Sequence, residues 1–178
     1  DDRIYMIDAM NHLETAGFRD YNQIIKTKEG NSTVFLEHRH FFMAREIEGV
    51  PPSFSLAEDT GAVGAFLAAF HRAARGYYPC SPYPGRMKWG KWPEILAKKC
   101  KEMELFGEME GNSNGSFSLI YRRHLPYYLE DAWKSAEFFR GEAYRVQWQR
   151  EENAGGFCHH DMAHHNFIKG EGLSLIDF

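Results

Sequence analysis

The chain has 178 residues, of which 43% are hydrophobic and 26% charged, with a net charge of -4. Those proportions are ordinary for a soluble globular protein, and the length suits one domain with a sizeable core or two small lobes. The net negative charge argues against general nucleic-acid or anionic-membrane binding, and no run approaches the ~18 apolar residues of a membrane helix.

Ile4, Ile7, Met10 and Leu13 recur about one helical turn apart and predict a first helix, which Gly17 can stop. Three strand-like runs follow, at Gln23 to Thr27, Thr33 to Leu36 and Phe41 to Ile47, separated by a turn at residues 28–31 and a second tight turn. Pro51-Pro52 marks a break. Leu56, Val63, Phe66, Leu67, Phe70 and Ala74 then form one apolar stripe, an amphipathic helix. Residues 77–91 combine three prolines with glycines and aromatics and read as an ordered or semi-ordered loop. Further helices are expected over 92–109, over 117–139 with a kink at Pro126, and over 142–151, while residues 111–116 form the most flexible-looking segment. The order helix, strands, helices predicts an α+β fold of two lobes joined near Glu48-Gly49, with residues 1–48 in one and 49–178 in the other.

The end of the chain carries the chemistry. His159-His160-Asp161 is followed five residues on by Asn166, then by a short apolar strand, a Gly170-Glu171-Gly172 turn and a second apolar strand ending in Asp177-Phe178. Phosphoryl transfer from ATP uses a carboxylate beside the acceptor hydroxyl, plus an amide oxygen and a second carboxylate that hold Mg2+ over the phosphates. Asp161, Asn166 and Asp177 supply those three groups at the spacing of a kinase catalytic loop. Each has a plainer reading. Asp161 can cap a turn and Asn166 can form one. Asp177 at the mouth of a buried strand is costly without a cation, which favours a metal role.

Cys158, His159, His160, Asp161, His164 and His165 crowd into eight residues, so a zinc site is the competing reading. Adjacent histidines on an extended loop tend to point apart, and no second ligand pair stands at recognised spacing. A His-Asp phosphohydrolase would need further His and Asp motifs on helices, and none is found. Cys80, Cys100 and Cys158 are an odd, widely spaced set, which favours reduced thiols in a cytoplasmic compartment. No signal peptide opens the chain. Trp89 and Trp92, with Tyr77, Tyr78 and Tyr83, offer either an acceptor pocket or loop packing, and packing is the simpler account. His71 and the Lys98-Lys99-Cys100-Lys101 run read as solvated helix faces.

The wording Cys158-His159-His160-Asp161-Met162-Ala163-His164-His165-Asn166 with Ile176-Asp177-Phe178 resembles the CotS-like spore coat proteins, within the aminoglycoside phosphotransferase and choline kinase superfamily. Residues 41–49 look like that superfamily's strand and hinge, and residues 67–77 like the helix after it. The resemblance implies a protein-kinase-like two-lobed fold, ATP and Mg2+ as cofactors, and a hydroxyl acceptor. It assigns Asp161 as the catalytic residue, Asn166 and Asp177 as Mg2+ ligands, and the backbone of Arg45, Glu46 and Ile47 as the adenine-binding hinge. It gives His159 a bracing role, and it implies association with the spore coat and with other coat proteins.

The chain departs from that pattern in two places. The superfamily's glycine-rich phosphate loop and strand lysine precede the first helix, whereas Lys26 and Lys28 follow it, and the partner acid of that lysine is not placed, with Asp1 and Asp2 as candidates. The superfamily also continues past Asp177-Phe178 into helices that help form the acceptor site. The sequence therefore reads as the interior of a longer protein with an incomplete kinase fold.

Overall fold

In the computed structural model the described residues are 2–80 and 85–177, without the side chains of Asp2, Arg3 and Asn112. They form two compact units, one of residues 1–83 and 155–178 and the other of residues 84–154. The expected lobe boundary at residue 48 falls inside the first unit.

The first unit opens with helix α1, Asp2–Thr15. Met10 and Leu13 are buried, as their spacing requires, and Gly17 at φ 81 ends the helix. Strands β1, Val34–Leu36, and β2, Arg39–Phe41, form an antiparallel hairpin. Its two-residue turn places Glu37 and His38 both at positive φ, the twist that matches paired strands. The longer runs expected at 23–27 and 41–47 do not form a continuous ladder. They meet at a single antiparallel bridge, Ile24 with Ala44, carried by Ile25 N–H to the Met43 carbonyl and Arg45 N–H to the Gln23 carbonyl, each 2.8 Å. Residues 26–33 turn away between the bridge and the hairpin, so pairing is interrupted there.

Helix α2, Ala57–Ala74, follows the predicted stripe, with Val63, Phe66, Phe70 and Ala74 buried on one face. The chain end forms a second hairpin of β3, Phe167–Lys169, and β4, Leu173–Leu175, with Phe167 opposite Leu175. Residues 20–22 add to it in parallel. Leu175 N–H reaches the Asp20 carbonyl at 3.0 Å and Asn22 N–H reaches the Leu175 carbonyl at 3.1 Å. Leu13, Phe18, Tyr21, Phe66, Phe70, Phe167 and Leu175 make one core, which puts the terminal hairpin against α1 and α2.

In the second unit, α3, Trp92–Met109, packs along α4, Ser116–Phe138, and α5, Glu142–Ala154, follows. Pro126 lies inside α4, which continues through it. Tyr121 Oη donates to the Met103 carbonyl at 3.1 Å and Trp133 Nε1 to Glu104 at 2.9 Å. Lys99 pairs with Glu102 at 2.7 Å on a solvated face while Cys100 turns inward. No helix among the described residues is long and apolar enough to cross a membrane.

Candidate active site

The loop that leads to Asp161 is anchored at Phe157. Its ring meets Phe70 at 5.7 Å, Tyr77 at 5.1 Å and His12 at 6.3 Å, all edge-on. Tyr77 is buried and donates from its hydroxyl to Asp8 Oδ2 at 2.9 Å. Burial first, then the Asp8 carboxylate, pushes its phenol far above the ordinary range. Tyr77 is thus packing, as is Trp92, which meets Phe139 within the second unit. Tyr83 lies outside the described residues.

From that anchor the loop is built around one carbonyl. Asn166 Nδ2 donates to the Asp161 carbonyl oxygen at 3.0 Å, and His159 Nδ1 lies 3.1 Å from the same oxygen. The Asp161 backbone is held from two sides while the residue itself stays exposed. Asn166 is only 2% exposed, at the end of a single turn of 3-10 helix that runs straight into β3. Ile176 N–H bonds the Asn166 carbonyl at 2.9 Å, which brings the end of β4 beside Asn166; Asp177 follows it exposed, so the burial cost expected to favour a cation there does not arise. His160 at φ 72 and Asp177 at φ 63 both occupy the left-handed region. Such conformations in residues other than glycine cluster at functional sites, where surrounding structure enforces them.

These groups suit magnesium. Asn166 donates its amide hydrogen to the loop, and among the described residues its Oδ1 accepts no hydrogen bond, so an oxygen ligand remains. With the Asp177 carboxylate that makes two hard oxygen donors, the number Mg2+ commonly takes from protein when phosphates and water complete its shell. The zinc alternative finds no geometric basis, because no three His, Cys, Asp or Glu among the described residues are grouped to hold a metal ion.

The residues expected to form a hinge stand on the same frame. Arg45 N–H is already bonded to Gln23, so of the three expected residues Glu46 offers the open backbone edge, with Ile47 leading on to Glu48-Gly49. Just beyond, Val50 and Lys169 exchange backbone hydrogen bonds of 3.2 and 2.8 Å. Glycines make this approach possible. A Cβ at Gly49, where φ is 152, would stand 2.5 Å from the Lys169 carbonyl oxygen, and one at Gly170 would stand 2.6 Å from that of Glu48. Lys169 Nζ also bonds Asp59 Oδ1 at 2.5 Å, and Ser53 N–H bonds Asp59 Oδ2 at 2.8 Å. Asp59 is 5% exposed. The hydrogen bond from Lys169 and then that from Ser53 hold its carboxyl below the usual range. Asp59 was not singled out from the sequence, although an acid standing four residues before Val63 on the apolar stripe of α2 was the available signal.

No protein-family profile matches the chain. It is similar to spore coat protein S of Bacillus subtilis, 24% identical over 173 residues, covering 94% of this chain and 48% of that protein. It is also similar to the crystal structure of an aminoglycoside phosphotransferase from Alicyclobacillus acidocaldarius, with a TM-score of 0.76 and 19% identity, covering 97% of this chain and 51% of the other. The chain thus spans about half the length of each. The kinase-like fold holds over nearly the whole chain, and the resemblance to spore coat protein S stands as a resemblance.

Proposed function

We propose that this chain carries the catalytic loop and hinge of an ATP- and Mg2+-dependent phosphotransferase that acts on a hydroxyl acceptor and is associated with the spore coat. The observation that supports this reading is the 2.9 Å backbone hydrogen bond from Ile176 to Asn166, which sets the residue before Asp177 against the asparagine five residues after an exposed Asp161. Asp161 orients the acceptor hydroxyl and takes up its proton. Asn166 and Asp177 hold Mg2+, which when bound neutralises charge on the phosphates. The backbone of residues 45–47, chiefly Glu46, receives adenine, and residues 1–48 serve as part of the smaller lobe with 49–178 as part of the larger. His159 braces the loop through the Asp161 carbonyl. The contribution of this frame is positioning for in-line attack.

A second reading is a kinase-fold component of the spore coat that binds other coat proteins without turnover. It is favoured by the name of the relative matched over 94% of the chain. The two are separated by incubating the full-length protein with ATP, Mg2+ and panels of amino alcohols, sugars, aminoglycosides and coat proteins. Phosphoryl transfer lost in Asp161→Ala supports the enzyme. No transfer, and no Mg2+-dependent stabilisation by ATP, supports the coat component.

A further inference from the structure

Lys169 occupies a three-way junction. Its backbone pairs with Val50 at the exit of the hinge, its strand begins directly after Asn166, and its ammonium reaches a buried carboxylate on α2. Both oxygens of Asp59 are used there, one by Lys169 and one by the Ser53 N–H just past the hinge. A buried carboxylate is costly unless fully paired, so this arrangement favours one geometry strongly over its neighbours. The close approaches at Gly49 and Gly170 leave the two segments no slack.

We infer that Lys169 and Asp59 are positioning residues that lock the hinge to the hairpin bearing Asn166 and Asp177, so that a nucleotide's base and its metal-bound phosphates are engaged at once. This rests on the phosphotransferase reading above. A nucleotide held at both ends is a bivalent ligand. Once the base is seated, the metal-mediated contact is intramolecular, and its effective concentration depends on how firmly the frame fixes the distance between the two. Their side chains are committed to each other and to Ser53. The pair therefore acts on the linkage between Mg2+ and nucleotide binding, while the base contact alone is insensitive to it.

The test is calorimetric titration of the full-length protein with ATP, in EDTA and in excess MgCl2, for wild type, Lys169→Met, Asp59→Asn and Lys169→Arg. Wild type should bind ATP more tightly with Mg2+ by a factor in the roughly 5–150-fold range of coupled sites. Lys169→Met and Asp59→Asn should reduce that factor to below about twofold while changing affinity in EDTA far less, and Lys169→Arg should retain most of it. If the neutral variants fail to fold, Lys169→Gln, which can still donate a hydrogen bond to Asp59 but carries no charge, replaces them, and a reduced Mg2+ factor is expected. A lowered melting temperature with the Mg2+ factor unchanged would mean a purely structural pair and overturn the inference alone. Wild type that binds no ATP under either condition overturns the phosphotransferase reading and this inference with it.

Discussion

The side-chain amide of Asn166 donates to the backbone carbonyl of Asp161 across a 3.0 Å hydrogen bond, so one buried residue shapes the loop and, in the proposed reading, also gives its oxygen to the cation. Substituting it separates those tasks. Asn166→Asp keeps an oxygen ligand but replaces the donor with an acceptor facing a carbonyl. Asn166→Ala removes both. In the full-length protein, transfer should fall by about 10²-fold or more in Asn166→Ala, with a smaller loss in Asn166→Asp that is partly restored by raising Mg2+. Steady-state rates against MgCl2 concentration check this.

Phe167 and Leu175 face one another across the terminal hairpin, and neither is exposed. Truncation leaves a cavity where α1, α2 and the hairpin meet. Phe167→Ala should cost about 3–5 kcal/mol and Leu175→Ala about 2–5 kcal/mol, read from urea unfolding. Against a typical total of about 5–15 kcal/mol, either loss should also lower soluble yield.

The Asp59–Lys169 pair sets a pH window. Asp59 has its carboxyl lowered from 3.8, so its contribution is present above that value and lost as pH falls through the depressed folded value. Lys169 is raised from 10.5 by the hydrogen bond and charge of Asp59, so its share is present below 10.5 and lost as pH rises through the raised value. The stability deficit of Asp59→Asn relative to wild type should therefore be flat from about pH 5 to 9 and close in acid. Thermal melts from about pH 2 to 11 check the plateau and both limbs.

Gly49 has φ 152 and would place a Cβ 2.5 Å from the Lys169 carbonyl oxygen. Gly49→Ala should destabilise by about 1–3 kcal/mol. Hydrogen exchange should show the damage at the Val50 and Lys169 amides, with α2 retaining its protection.

Much of this was legible in the sequence, for identifiable reasons. Helices such as Trp92–Met109 and Ala57–Ala74 advertise their buried face every three or four residues, and their bounds came out within a residue. The Asp161–Asn166 spacing and the two short apolar runs after it were equally local. The strand runs at 23–27 and 41–47 were overextended, because alternation states what a residue prefers and not whether a partner lies alongside. The parallel pairing of residues 20–22 with Leu175 and the Lys169–Asp59 bond left no local pattern. Only the acid inside the stripe of α2 hinted that a cation must arrive from elsewhere.

The first unit is discontinuous, with residues 84–154 folded as a separate unit between its two parts. Asp59 and its partner Lys169 are 110 residues apart in the chain. At roughly 5–20 residues per second, the ribosome adds that intervening length in about 5–20 s. For that interval the carboxylate and the apolar face of α2 have been made but the hairpin that covers them has not. The contacts of the helical pair α3 and α4 span far fewer residues, 29 for the Trp133–Glu104 bond, and can form meanwhile, which shortens the loop that must be closed. The hairpin of β3 and β4 thus joins the first unit only after residues 84–154 have been made, and a nascent chain held before that point leaves the apolar face of α2 without this cover.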